Sequence, residues 1–533
     1  MARLAKPKNE KIANSLKSAK TAAGGGHVFQ SKKLTRAQVK VLRQAGWLLE
    51  IHAGWVALVT PGATEGDTIP FFSNYWEFVQ KYLNERLGED YVLSSISSLA
   101  LHSDLLTIPL QLTVTTSRTT QGPVQLLCGV ALMVISDPKQ DVSEAVLRDG
   151  GLRILPLEQA LASMPAASYR RPTSELTAAV ATVRNIPELA RILLKNPTGG
   201  VVAGRLITAM KDVGRTKDAE MIEKSFAAAG VEISPSNGVG SFSTLDAAGA
   251  RLKSGIAARL TSMWNQMSVA LANAPRPEAN IAFFRSATSD EIRVAIREIY
   301  INDAYNSLSI EGYQVTPKLI EQVAAGSWDP KQREEDKKIV DALAARGYFE
   351  AFNATVQIII EIHAGAPDIE TLERAVLDWR GLLFSPSARA GLIPADSLAG
   401  YRRNPVYIRG SMHVPPAHEK LMDAMDAIYD LLRAEKNPWI RAVLGHFFFV
   451  HVHPFPDGNG RTGRFLMNAL LVTAGYPWTV VRVSQRARYF SALEKASIHG
   501  DPSELSDFLM GEMAVGRNVS ISDHLSRHYR SQF

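Results

Sequence analysis

The chain has 533 residues, 46% hydrophobic and 21% charged, enough for three or four domains with packed cores. That balance excludes a disordered chain and a small stapled scaffold. Cys128 is the single cysteine, so neither an intramolecular disulfide nor a cysteine-based zinc cage can form, which fits a reducing cytoplasmic setting. The longest apolar stretch, Val124 to Ile135, is too short to cross a bilayer, and no Sec-type leader is visible. No membrane partner is expected.

The formal charge of +6 is unevenly placed. Residues 1–33 hold eight Lys and Arg against Glu10 alone, a net +7, and the other 500 residues sum to −1. With Gly24-Gly25-Gly26 inside it, this stretch reads as a basic flexible tail. A sharper reading makes it an arm along nucleic-acid phosphates, with salt-dependent, sequence-blind affinity.

Leu34 to Ala45 then reads as a short helix with Leu34, Val41 and Leu42 as apolar contacts. Trp47 to Val59 reads as a hairpin turning at Ala53-Gly54. Helix plus hairpin is the back half of a winged helix. Leu110, Leu112 and Val114 alternate with polar residues as in a half-buried strand, and Val124–Ile135 reads as one buried partner strand. Residues 34–160 are therefore expected to form a winged-helix-like and mixed α/β domain. By diffuse pattern rather than fixed residues, this stretch resembles abortive-infection-type (type IV) antitoxins.

Residues 161–233 are patterned as a helical region. Pro187 suits the first turn of a helix beginning near Asn185, and Ile222, Phe226 and Ala229 share a helix face closed by Gly230. Residues 234–284 read as a linker, from Ser234 to Ser243, plus a connecting helix. A capping box at Thr288 and Glu291 opens a helix carrying Ile292, Ala295, Ile296 and Ile299. From 285 to 520 the pattern is almost wholly helical, and 521–533 reads as a C-terminal tail. The expected class is α+β multidomain, with the helical part in the C-terminal half.

The chemistry is concentrated in His453-Pro-Phe-Pro-Asp-Gly-Asn-Gly-Arg-Thr-Gly-Arg464, a loop between two apolar helical runs. Gly458-Asn459-Gly460 at a helix start offers unpaired N–H groups and the positive end of the helix dipole to an anion. Arg461 and Arg464 lie on one helix face and can both grip phosphate oxygens. Asp457 is a hard carboxylate suited to Mg²⁺. His453 can accept a proton near neutral pH. Together these groups read as a phosphoryl- or nucleotidyl-transfer site.

This string is similar to the Fic family motif, His-x-Phe-x-Asp/Glu-Gly-Asn-Gly-Arg-x-x-Arg. Tyr401-Arg402 and Val406 to Pro416 resemble the family's flap hairpin and the start of its next helix, and Ser307-Leu-Ser-Ile-Glu311-Gly312 resembles its inhibitory motif. The resemblance covers residues 285–515 and implies a mostly helical Fic fold that transfers AMP from Mg·ATP to a Ser, Thr or Tyr hydroxyl of a target protein. By position, it implies His453 as general base and Asp457 as Mg²⁺ ligand. Gly458, Asn459, Gly460, Arg461 and Arg464 would hold the phosphates. Phe455 would anchor the loop, and Glu311 with Ser307 would be inhibitory. Val406, Tyr407, Ile408 and Arg409 would be the target-docking flap.

Other readings stay open. His451, His453 and Asp457 could instead hold a transition metal, although such sites need further ligands. His446 and His451 fit the core better than a ligand role. His413 is a turn residue or a substrate contact, and Tyr489 and Leu493 either wall an adenine pocket or pack the core. No Walker-type loop is present. A DNA-binding, antitoxin-like regulator with a nucleotide-sensing Fic part is one alternative function. A Fic enzyme that removes AMP, or transfers another phosphate-linked group, is the other. A homo-oligomer is left open.

Overall fold

The computed structural model describes residues 8–530 apart from 63–65, 106, 119–121, 139–141, 144, 149–150, 237, 243–253, 280 and 328–335. It divides into two units: residues 1–259 together with 406–415, and residues 260–405 together with 416–533.

The first unit opens with an ordered helix, Lys8–Ala23, where the sequence leads one to expect a flexible tail. Ser15, Ala19 and Ala23 are buried while Lys11, Lys17 and Lys20 face solvent, so the lysines are the wet face of an amphipathic helix. Strands β1 (Val28–Gln30), β2 (Leu48–His52) and β3 (Trp55–Leu58) form an antiparallel sheet in the order β1-β3-β2. The expected hairpin turns at Gly54, whose φ of +81° a Cβ would disfavour. Helix Arg36–Gln44 precedes it, capped by a reciprocal Thr35/Gln38 capping box.

Helix Ile69–Leu87 then lays Phe71, Tyr75, Phe78 and Val79 against a second sheet. Its strands are β4 (Val92–Leu93), β5 (Gln111–Thr116), β6 (Val124–Gln125) and β7 (Ala131–Ser136), in the order β4-β5-β7-β6. Leu112 and Val114 are buried as expected, but Leu110 lies outside the strand and is exposed. Val124–Ile135 is not one strand. A turn at Leu127–Gly129, with Cys128 at φ 55°, breaks it into two antiparallel pieces. A small hairpin, β8 (Val146–Arg148) and β9 (Leu152–Ile154), leads to a helical layer.

In that layer, Asn185 caps Ile186–Lys195 with Pro187 in the first turn. Ile222 and Phe226 are buried on Thr216–Ala228, while Ala229 is the exposed cap. The expected linker is pinned where it is described: Gly240 N–H donates to the Tyr169 carbonyl at 2.8 Å, and Phe242 is buried. Its remainder, from 243, lies outside the described residues.

The second unit is helical. Asp336–His363 and Asp368–Arg389 pack along each other, as do Pro438–Val452 and Asn459–Thr473. Asn459–Thr473 is buried on all sides from Arg461 to Val472, which makes it the central helix of the unit. Glycines permit its close contacts. A Cβ on Gly463 would lie 3.0 Å from Val450 Cγ1, and one on Gly445 would lie 3.0 Å from Leu470 Cδ1. The expected Thr288/Glu291 capping box opens Ser289–Arg297, and the last helix, Ser503–Arg530, runs through most of the expected C-terminal tail. No strand forms between 400 and 417, so the flap is a loop rather than a hairpin, turning where Ser411 N–H meets the Ile408 carbonyl at 3.1 Å.

Because Phe29 on β1 is buried among Leu42, Leu48 and Val56, Phe29→Ala is expected to destabilise the first unit by about 3–5 kcal/mol in denaturant unfolding. A change within experimental scatter would show that residues 8–30 are a dispensable tail.

Candidate active site

All residues of this site belong to the second unit. Helix Pro438–Val452 ends at His453, which takes left-handed φ and ψ of 52° and 57°. The turn brings the imidazole back over its own helix, with Nδ1 3.1 Å from the Val450 carbonyl. A carbonyl only accepts, so Nδ1 carries the proton and Nε2 is left as a bare lone pair. Burial pulls the His453 pKa below the usual imidazole range. The Arg402 charge pulls it the same way, and the Val450 hydrogen bond, Glu311 and Asp457 only partly oppose this. The ring is therefore neutral at pH 7.

Phe455 is fully buried against Phe449 and Tyr401 and anchors the loop. Asn459 closes it: Oδ1 accepts from Phe455 N–H at 2.9 Å, and Nδ2 donates to the Phe455 carbonyl at 2.8 Å. The Asn459 side chain is thus engaged in shaping the loop rather than free to cradle a ligand. Gly458, at φ 89°, is the N-cap of Asn459–Thr473. The first-turn N–H groups that follow have no partner inside the helix.

Two buried arginines line this terminus. The Arg461 guanidinium lies between the rings of Tyr313, at 5.1 Å, and Phe384, at 4.9 Å. Its Nη2 is 3.3 Å from Asp457 Oδ1, and Nε and Nη1 are buried without a hydrogen-bond partner. A buried donor with no acceptor marks a place for an anion. Sequence reasoning missed both rings. Tyr313 could have been found from its place just after the Glu311-Gly312 pair, whereas nothing in the sequence points to Phe384.

Arg464 is already occupied. Its Nε donates to Ser307 Oγ at 2.9 Å, and its Nη2 donates to the Ser307 carbonyl at 3.1 Å and to Glu311 Oε1 at 2.7 Å. Burial alone would raise the Glu311 carboxyl, but the Arg464 and Arg461 charges outweigh it and hold the pKa below the carboxylate range. Arg464 is pushed up in return, again against its own desolvation. A Cβ on Gly460 would collide with Glu311 Oε1, so this carboxylate sits at the N-terminus of the central helix, where an anion would bind. Helix Tyr300–Ile310 carries it, with Glu311 as C-cap. That helix is fixed by the Tyr348 hydroxyl donating to buried Asp303 at 2.6 Å, by Asn306 Oδ1 accepting from Val483 N–H, and by Arg486 Nε on the Ile310 carbonyl.

The remaining candidates separate clearly. His446 Nε2 meets Tyr489 OH at 2.8 Å in the core, and burial lowers its pKa to about 4. His451 Nδ1 faces Ser497 Oγ, and Tyr489 is buried while Leu493 is half-buried. Among the described residues no group of three or more His, Cys, Asp or Glu could hold a metal ion, so His451, His453 and Asp457 do not make a transition-metal site. A lone, largely exposed Asp457 carboxylate beside the anion site does fit Mg²⁺, which keeps several waters and takes the rest of its shell from phosphates. Val406 to Arg409 and His413 belong to the other unit. There Arg409 pairs with Asp67 at 3.4 Å, and buried His413 places Nδ1 3.2 Å from Thr107 Oγ1.

Residues 371–471 match the Fic/DOC family model. A curated protein adenylyltransferase Fic of Drosophila willistoni is 32% identical over 235 residues, 43% of this chain and 43% of that protein. The Nematostella vectensis protein of the same name is 34% identical over 222 residues, 40% of this chain and 47% of its own length. The chain thus spans less than half the length of these relatives. Among solved structures, Fic-1 (aa134–508) from C. elegans aligns at 17% identity and a TM-score of 0.38, covering 70% of this chain and 92% of that one.

The neutral ring gives a direct check. Followed by NMR, the His453 Cε1–H resonance should titrate below the free-imidazole value of about 6.5. Titration at or above that value would contradict the burial of the ring.

Proposed function

We propose that this chain, whose residues 371–471 form a Fic/DOC domain, transfers AMP from ATP to a hydroxyl side chain of a protein target and restrains itself through Glu311. The observation that carries the reading is the contact between His453 Nδ1 and the Val450 carbonyl at 3.1 Å, which assigns the proton to Nδ1 and leaves Nε2 to accept one, on the loop that leads into the N-terminus of Asn459–Thr473.

In this reading the target Ser, Thr or Tyr hydroxyl gives its proton to His453 Nε2 as its oxygen attacks the α-phosphorus. The bond to the β-phosphate oxygen breaks, and pyrophosphate leaves. The N–H groups of Gly460 and its neighbours face charge that grows on the phosphoryl oxygens. Arg461, with two free donors, takes the β-phosphate region, and Arg464 takes the γ-phosphate once Glu311 withdraws. Asp457 would hold Mg²⁺, whose contribution when bound is to neutralise polyphosphate charge. Val406, Tyr407, Ile408 and Arg409 would offer their backbone groups to a target segment, giving affinity with little sequence selectivity.

Glu311 competes with the γ-phosphate for one guanidinium and repels the polyphosphate from the helix terminus. Coupling of this kind is usually worth about 5–150-fold. Glu311→Gly should raise self-labelling with AMP within that range, and Arg464→Ala should cancel the gain. Incubation with α-labelled and γ-labelled ATP tests the chemistry itself. Label should enter protein from the α position alone, and His453→Ala should lose about 10²–10⁴ in rate. Label from the γ position would refute AMP transfer. An inert Glu311→Gly protein that strips AMP from a modified target would make removal the true activity.

A second reading, nucleic-acid binding by the first unit, draws on one observation. Helix Arg36–Gln44 exposes Arg36, Lys40 and Arg43, with Lys32 and Lys33 just before it, and among the described residues Arg36 and Lys40 have no carboxylate partner. The helix precedes a hairpin, as a recognition helix does in a winged helix. Since residues 8–30 are structural, truncation is a poor probe of this reading. The double variant Arg36→Ala/Lys40→Ala should instead weaken duplex DNA binding and flatten its salt dependence by about two phosphate contacts. Equal binding at every salt concentration would remove this reading.

A further inference from the structure

We infer that Arg402 is the positioning residue of the catalytic base: its guanidinium and main-chain N–H fix the left-handed turn that aims His453. The inference rests on His453 being the base proposed above. A β-carbon-bearing residue at φ 52° occupies a sparsely populated conformation, and such a conformation persists only where the surroundings over-determine it. The loop has few donors of its own for that purpose, because Pro454 and Pro456 have no N–H.

Arg402 supplies what the prolines lack. Its Nε donates to the His453 carbonyl at 2.9 Å, and its main-chain N–H donates to the Pro454 carbonyl at 2.9 Å. The other two arms of the guanidinium close on the Asn404 carbonyl, at 3.1 Å, and the Pro416 carbonyl. One planar fork thereby ties the turn carrying the base to the two chain ends that lead into and out of residues 406–415.

The residue is 4% exposed. Among the described residues its charge meets carbonyl oxygens rather than an ion-paired carboxylate, and the Glu419 charge only partly offsets its burial. Burial lowers its pKa to about 10, so it stays charged at neutral pH. A buried, unpaired cation is a poor way to gain stability. It is a good way to hold three carbonyls in one plane, because a guanidinium has a rigid fork and an ammonium does not. The same charge stands beside the imidazole and helps keep it neutral, against the opposing influence of Glu311, Asp457 and the Val450 carbonyl.

Two variants separate the parts of this role. Arg402→Lys keeps the charge and loses the fork, whereas Arg402→Met loses both. In full-length protein carrying Glu311→Gly, Arg402→Lys should lower kcat for AMP transfer by about 100-fold, the cost of a small misplacement of a reacting group. KM for ATP should stay within a few-fold, because Arg461, Arg464 and the helix terminus are untouched. The acid limb of its pH–rate profile should not move. Arg402→Met should lose as much kcat and also shift that limb, and the His453 Cε1–H titration, to higher pH. Wild-type kcat in the Lys variant would overturn the inference. So would a rise in KM for ATP that matches the fall in kcat, since that is the mark of a merely structural residue. His453→Ala in the same background is the control for the underlying reading: full activity there would refute the base assignment and the inference with it.

Discussion

A buried cation has to be answered, and of the buried arginines in the helical unit, Arg402, Arg461 and Arg464 show three ways of doing so. Arg464 is held by Ser307 and Glu311, Arg461 by two aromatic faces and Asp457, and Arg402 by main-chain carbonyls. Each solution has a different consequence. A carboxylate partner can be displaced by another anion, so Arg464 can be occupied or released. Ring faces leave the guanidinium edge free, so Arg461 keeps donors pointing into the site. Carbonyl partners cannot leave, so Arg402 is fixed.

This division explains how one short helix terminus can be both strongly anion-seeking and closed. The dipole of Asn459–Thr473 and the two arginines on it create a field that an empty site would have to bear unpaired. Glu311 answers that field from within the chain. It does so from the C-terminal end of its own helix, where a carboxylate is unfavourable by dipole, and Arg464 is what makes the position tenable.

The local part of this design was legible in the sequence. His453 to Arg464 is one turn and one loop, so spacing alone brought histidine, carboxylate, glycines and arginines together, and the capping box at Thr288 was equally local. What was illegible depended on distant partners. Lysine density and three glycines hid the helix Lys8–Ala23, because Ala19 and Ala23 become core only once β1 and β3 are in place. The run Val124–Ile135 is apolar apart from Gln125, yet a positive φ at Cys128, a residue with no intrinsic preference for it, divides the run. The flap sequence suggested strands, but its apolar residues pack in place of pairing. The fork of Arg402 could not be read at all, since its acceptors are carbonyls that any residue has.

The flap also makes the helical unit discontinuous in sequence. Residues 406–415 group with the first 259, and Tyr407, Met412 and Val414 join the same apolar cluster as Phe71, Tyr75 and Leu112. The Ser411 carbonyl accepts from Thr68 Oγ1 at 3.1 Å, which fastens the segment further. An expression fragment cut at the family boundary would therefore carry a ten-residue loop stripped of its support, with three large apolar side chains newly wetted. Sparing solubility of such a fragment would reflect the cut rather than the helical half itself.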